Sequence, residues 1–292
     1  MQLGIIGGSG IYQLEGLTDV TSLKVDTPFG APSDELVQGK LGGREVVFLP
    51  RHGKGHRLLP SEINHRANIY ALKLRGVERV ISVSAVGSLR EHLRPRDIVL
   101  PSQYYDRTKR STEQTFFGRG LVAHVALAEP LCPDLRAFLF QEVQQALTRR
   151  GERQTRLHNG GTYVCMEGPA FSTRAESHSY RQLGGDVIGM TSLPEAKLCR
   201  EAEMCYAAMA MVTDYDCWRE GEEHVTVEMI IANLTANSAL AKDVLAHLIS
   251  VLPATRTCTC ATALKNAILT DRRAVPQATQ ISLQAIIGKY LG

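Results

Sequence analysis

Two aspartates two residues apart, Asp214 and Asp216 in "TDYDCW", follow a run of apolar residues. In an extended chain, side chains at i and i+2 project to the same side, so both carboxylates would face one ligand. Such a pair can be a solvated loop or helix cap, part of a metal site, or a reader of a hydrogen-bonding heterocycle. The metal reading lacks a third acidic or histidine ligand at useful spacing. A second group of residues suits an anion. "GIIGGSGIY" runs from apolar residues into a glycine-serine turn, where backbone N–H groups and the Ser9 hydroxyl can wrap a phosphate. "LPRHGKGH" places Arg51 and His52 after another apolar run. Arginine presents a fork for two phosphate oxygens, and histidine adds a donor or a titratable contact. "VSAVGSL" brings Ser84, Ala85 and Gly87. Each stretch alone is equally a plain turn or a solvated basic loop. Three donor-rich strand ends converging on one anion account for all of them together.

The opening turn is not a nucleotide loop of the usual kinds. Gly8 and Gly10 supply two glycines of a dinucleotide fingerprint, but the third position is Gln13, and no Gly-Lys-Ser/Thr follows for a triphosphate.

The elements that must carry these residues alternate. Runs rich in Val, Ile and Leu at 3–7, 45–50, 79–85, 97–101, 161–167, 186–190 and 206–214 predict strands, several of them covered on both faces. Helical periodicity fills 61–75, with Ser61 after Pro60 as the N-cap, as well as 134–149 and 225–249, where Val227, Ile230, Ile231 and Leu234 form a stripe. The pattern is α/β: a single domain over 1–292, a central mixed β-sheet flanked by helices, and a helical tail over 254–292. The polar, glycine-bounded segment 106–120 has the composition of a mobile lid or interface loop.

At 292 residues and 44% hydrophobic, the chain can bury a large core. A net charge of +3, with acids interleaved among the bases, argues against nucleic acid as a partner and suits small anions. "MQLGIIGG" lacks the basic and apolar regions of a secretory leader, and no apolar run is long enough for a membrane, so a cytoplasmic protein is expected. Seven cysteines, an odd number, then read mostly as reduced thiols. Cys258 and Cys260 form a C-x-C with no second C-x-x-C to complete it, and no metal is expected.

Taken in order, "GIIGGSG", "VDTPFGAPSD", "RHGKGH", "SAVGSLRE", "LAEPLCPD", "MEGPAFSTRAES", "DVIGMTSLPEA" and "TDYDCW" resemble the methylthioadenosine phosphorylase branch of the trimeric purine nucleoside phosphorylases, from residue 3 to about residue 250. The resemblance implies the nucleoside phosphorylase fold and cleavage of a purine nucleoside by orthophosphate, with no cofactor because phosphate is the co-substrate. It implies phosphate contacts from Ser9, Arg51, His52, Ser84, the Ala85 backbone and Thr191. Ser9 and Ser84 stand where relatives often carry threonine, and the hydroxyl survives the change. Met190 would lie against the ribose beside Ile188, and Phe171 and Ser172 near the base.

Within that frame the aspartate pair gains a use. An ionised carboxylate accepts from the 6-amino group of adenine, while a protonated one donates to N7. Asp214 would be the general acid, and a 6-oxopurine would be left with unpaired groups. Val227, Ile230 and Ile231 would wall the 5′ end with apolar surface, which suits a methylthio group. His124 would reach that end from a neighbouring subunit of a homotrimer or dimer of trimers. The alternatives are a broader phosphorylase for adenosine, methylthioinosine or 6-oxopurine nucleosides. From other classes come a dinucleotide-binding oxidoreductase and a non-catalytic nucleoside-binding protein. Some heat-stable relatives carry disulfides, and the resemblance makes Cys258–Cys260 and Cys132–Cys199 candidate pairs.

Overall fold

Apolar residues that run without interruption need cover on both faces, and the strands receive it. The computed structural model describes residues 2–8, 15–219 and 227–291. Its strands are β1 (Gln2–Gly7), β2 (Thr18–Leu23), β3 (Leu36–Leu41), β4 (Arg44–Pro50), β5 (Val77–Ser88), β6 (Ile98–Leu100), β7 (Gln103–Arg107), β8 (Leu157–Asn159), β9 (Thr162–Met166), β10 (Val187–Gly189) and β11 (Cys205–Asp214). The helices are α1 (His65–Leu74), α2 (Pro133–Arg149), α3 (Arg174–Gln182), α4 (Ser192–Glu201), α5 (Val227–Val251), α6 (Gln277–Ser282) and α7 (Gln284–Leu291).

All of the strands join one mixed sheet of order β2-β3-β4-β1-β5-β10-β9-β7, with β11 on the other flank of β5, followed by β6 and β8. The pleat sends alternate residues to opposite layers. Leu3 and Ile5 of β1, Val46 and Phe48 of β4, and Ile81 and Val83 of β5 pack under α2 and α5. Ile6, Val47, Leu49 and Val80 pack on the other face with α1, α4 and α7. The mixed sheet between helical layers is the architecture the alternation predicts. No helix among the described residues is long and apolar enough to cross a membrane.

β5 positions the site. One flank pairs with β11 nearly throughout, Cys205 opposite Arg79 and Asp214 opposite Gly87. The other flank pairs with β1 only as far as Ser82, then antiparallel with β10 from Gly87. Between those two partners the flank of β5 carries no strand among the described residues, and a cavity lined by Val83, Ser84, Ala85 and Val86 opens there.

Several local expectations change. α1 begins later than the periodicity suggests: Ser61 lies in a 3-10 turn, Pro60–Glu62, and the N-cap is Asn64, whose side chain accepts from the Ala67 N–H at 3.1 Å. Segment 106–120 is tied down. The Lys109 N–H donates to Glu167 at 2.7 Å, Phe116 N–H and the Thr115 hydroxyl donate to Glu201 at 2.7 Å each, and the Phe116 ring is buried against Phe29 and Tyr70. Cys132 does not meet Cys199. It clusters with Cys205, Cys258 and Cys260, which sequence spacing could not show, and all seven thiols are free.

Candidate active site

The cavity has a volume of about 400 Å³. Strand ends reach it from several elements: Gly8 after β1, Arg51 and His52 after β4, Ser84 and Ala85 in β5, Met190 and Thr191 after β10, and Asp214 at the end of β11. Ser9 lies outside the described residues. Val227, Ile230 and Ile231 fall in the first turns of α5, and their side chains also lie outside the described set. The same helix contributes Asn237, Ser238 and Ala241 to the wall. The sequence reading missed these, although continuing the stripe by steps of three and four from Ile230 and Leu234 reaches them.

At the anion end, Arg51 is buried, but its fork is not free. Nε donates to Glu195 at 2.5 Å, Nη2 to Glu195 at 3.3 Å and to Ser82 at 2.6 Å, and Nη1 to the Val83 carbonyl at 3.0 Å. Four of the five N–H groups are thus committed to protein, and among the described residues one Nη1–H has no partner and remains for a ligand. A bidentate phosphate clamp, the sequence expectation, gives way to a buried ion pair that fixes a single donor. Glu195 also accepts from Ser82 and from Tyr206, each at 2.8 Å. Despite its burial, the Arg51 charge and hydrogen bonds hold its carboxyl below the usual carboxylate range.

The Ser84 hydroxyl is buried without a hydrogen-bond partner among the described residues. Thr191 occupies the N-cap of α4 and its side chain makes no capping bond; the Leu193 N–H is turned to Cys165 and Pro194 has no N–H, so the Thr191 hydroxyl is what this helix start offers the cavity. His52 is constrained further. Its Nδ1 stands 2.9 Å from the Leu58 carbonyl, which can only accept, so Nδ1 carries the proton. Burial, aided by the Arg51 charge, lowers its pKa to about 4. The ring is therefore neutral near pH 7 and offers Nε2 as an acceptor, not as a second cation.

Asp214 and Asp216 both line the cavity, though not as an extended pair. β11 bulges at Thr213, which slips out of register between Val212 and Asp214. The chain then turns, and Asp216 takes a left-handed conformation at φ 51°. Its N–H donates to Asp214 at 2.8 Å, and its own carboxylate accepts from the Ser177 hydroxyl of α3. The bulge re-aims Asp214 into the cavity. Desolvation raises the pKa of both carboxyls. At Gly87 an added Cβ would lie 3.0 Å from the Asp214 carboxylate, so the bare backbone is what lets that carboxylate sit there.

Ile188 and Met190 line the wall, with Met190 packed so closely on Gly168 that a Cβ there would stand 2.4 Å from its sulfur. Phe171 stands at the mouth, 55% exposed. Ser172 does not line the cavity. Its hydroxyl contacts the Met166 sulfur, and its carbonyl accepts from Cys217 at 3.2 Å. His124 is exposed and away from the cavity of its own chain.

The cavity thus brings together two desolvated carboxyls and, in Ser84, a hydroxyl without a partner among the described residues. The family model described as "Phosphorylase superfamily" matches residues 2–250. The chain belongs to the phosphorylase superfamily. Among curated relatives of this family, the S-methyl-5′-thioadenosine phosphorylase of Geobacter sulfurreducens is 55% identical over 289 residues, 99% of each chain. A solved methylthioadenosine phosphorylase from an antarctic soil metagenomic library superposes with a TM-score of 0.90 at 48% identity, covering 97% of this chain and 98% of its own. The Schistosoma mansoni methylthioadenosine phosphorylase in complex with adenine gives 0.82 at 38% identity, covering 91% and 96%. The phosphorylase fold and a pentosyltransferase-type activity follow from that membership.

Proposed function

We propose that this phosphorylase cleaves S-methyl-5′-thioadenosine with orthophosphate, giving adenine and 5-methylthioribose 1-phosphate. The observation that carries the reading is the placement of two desolvated carboxyls and an anion pocket in one cavity, in a chain 55% identical over its length to a curated enzyme of that name.

The C1′–N9 bond breaks, the base gains a proton, and a phosphate oxygen bonds C1′ as hydrogen phosphate gives one up. Asp214, whose charged form desolvation disfavours, donates a proton to N7 so that adenine leaves neutral. Thr213 assists. Its hydroxyl donates to Asp214 at 2.7 Å and lies 3.2 Å from the Val86 carbonyl, so it steadies the carboxylate left when the proton goes to N7. The Asp216 carboxyl, held by the Ser177 hydroxyl, accepts from the 6-amino group. At the other end Ser9, Ser84, Thr191, the Ala85 backbone and the remaining Arg51 N–H hold the phosphate, and the Nε2 lone pair of His52 accepts from its O–H. The bound dianion faces the positive charge growing on the ribose, which is electrostatic and proximity catalysis without a covalent enzyme intermediate. The proposed chemistry uses no cofactor.

Val227, Ile230 and Ile231 wall the 5′ group in this reading, with His124 of an adjacent subunit. Support for a subunit contact lies beside His124, where Val122 and Leu269 are hydrogen-bonded neighbours and both exposed, at 49% and 66%. Asn237 and Ser238 on α5 favour a second reading, in which 5′-hydroxyl substrates are also accepted. A cytoplasmic location fits both.

The test is purine release from methylthioadenosine, adenosine, methylthioinosine and inosine, with and without phosphate. Phosphate-dependent adenine release, fastest from methylthioadenosine, is expected. Release without phosphate would make the enzyme a hydrolase and sink the proposal.

A further inference from the structure

Four cysteines from three distant parts of the chain meet beneath the C-terminal tail. Cys132 caps α2, Cys205 opens β11, and Cys258 and Cys260 flank the start of a 3-10 turn, Thr259–Thr262. Their sulfurs all lie within 4.8 Å of one another, with those of Cys205 and Cys258 3.2 Å apart. Three are buried and Cys258 is half-buried.

A tetrahedral ion with metal–sulfur bonds of about 2.3 Å holds its sulfurs about 3.8 Å apart along every edge, so the quartet already has the right size. Two disulfides would need two short pairs set apart from each other, whereas here every sulfur is near every other. An iron–sulfur cluster interposes its own sulfides and spreads its cysteines wider than this. We propose that Cys132, Cys205, Cys258 and Cys260 bind one zinc ion in a closed, structural tetrathiolate site.

The surroundings prepare such a site. The Leu135 N–H donates to the Cys132 sulfur at 3.5 Å, the kind of contact that steadies a metal-bound thiolate. The strap that brings in Cys258 and Cys260 is held independently. Arg79 donates to the Pro253 carbonyl at 2.7 Å and to that of Thr255 at 2.5 Å, Arg256 donates to the Glu203 carbonyl at 3.0 Å, and the Thr257 hydroxyl donates to Asp134 at 2.6 Å. Binding needs no oxidant: four thiols release four protons and Zn²⁺ takes the four thiolates. The site stands at the opposite end of β11 from Asp214, and none of its cysteines lines the catalytic cavity. Its role is to lock the tail onto α2 and β11.

Metal analysis of protein purified without chelator should find about one zinc per chain, the stoichiometry of a single tetrathiolate site. Cys258→Ser and Cys260→Ser should each lose it, while Cys199→Ala should retain it. Protein stripped and reloaded with Co²⁺ should show the strong near-ultraviolet thiolate-to-metal absorption and visible bands of a tetrahedral tetrathiolate. Chelation of the wild-type protein should lower its melting temperature by several degrees, a readout that does not depend on any variant folding. Alkylation under denaturing conditions that finds the four cysteines oxidised would overturn the proposal in favour of disulfides. So would metal-free protein with all seven thiols reactive and a melting temperature unmoved by added Zn²⁺.

Discussion

A carboxyl can serve as an acid near neutral pH only if its surroundings disfavour the charge, and burial does this for Asp214. Asp214→Asn keeps the shape but cannot give up a proton, so kcat/KM for aminopurine nucleosides should fall by about 10²- to 10⁴-fold. Thr213→Val should cost less and move the alkaline limb of the rate to higher pH, because the hydroxyl donates to Asp214 and favours its carboxylate form. An unchanged rate in Asp214→Asn removes it as the acid. Arg51 and Glu195 are a pair in which each neutralises the other out of water. Glu195→Gln should destabilise the protein by about 3–5 kcal/mol by stranding a buried guanidinium. It should also raise the KM for phosphate while leaving nucleoside binding nearly intact. Arg51 and the aspartates were legible in the sequence as residue types after apolar runs. What Arg51 points at was not, because its partner stands 144 positions away in a helix whose sequence gives no sign of it.

At the scale of elements, the buried strands β1, β4, β5 and β11 were legible because both their faces are apolar. β2, β3, β7 and β8 were not: β2 is almost wholly exposed, β3 is interrupted by Gln38, Gly39 and Lys40, β7 is half-buried to exposed, and β8 spans only three residues. The bulge at Thr213 leaves no mark in composition either. Segment 106–120 read as a lid because its polar residues outnumber its apolar ones, yet Phe116 decides its behaviour. Phe116→Ala should cost about 3–5 kcal/mol and open the segment to trypsin at Lys109 and Arg110, followed by melting and timed digestion. Gly87→Ala places a methyl group against the Asp214 carboxylate and Ile188. It should depress turnover far more than it lowers the melting temperature, and the reverse outcome would show that Gly87 serves the fold alone.

Across the whole molecule, buried titratable groups pull in opposite directions. Burial lowers His65 to about 4, as it does His52, so their contribution is complete above pH 6.5 and lost as pH falls toward 4. Glu201 is raised to about 7 by desolvation, so its contribution is complete below 4.5 and lost as pH rises through 7. The two trends offset each other, and single variants should separate them. His65→Phe should gain on wild type as pH drops from 6.5 to 4, by at most about 1.4 kcal/mol per pH unit. Glu201→Gln should gain on wild type as pH rises above 4.5. Stability measured by denaturant at fixed pH values checks both. The handover on β5, from β1 to β10 along one flank, has a further meaning for how this enzyme can change. Ser84 and Gly87 sit on one strand and Asp214 on its neighbour, so the proposed anion site and the proposed acid are spaced by a ruler marked in whole residues. A slip of one mark would turn both cores inside out. New substrates must therefore be won by altering the walls, at Phe171 and along α5, because the ruler cannot be adjusted without losing the protein.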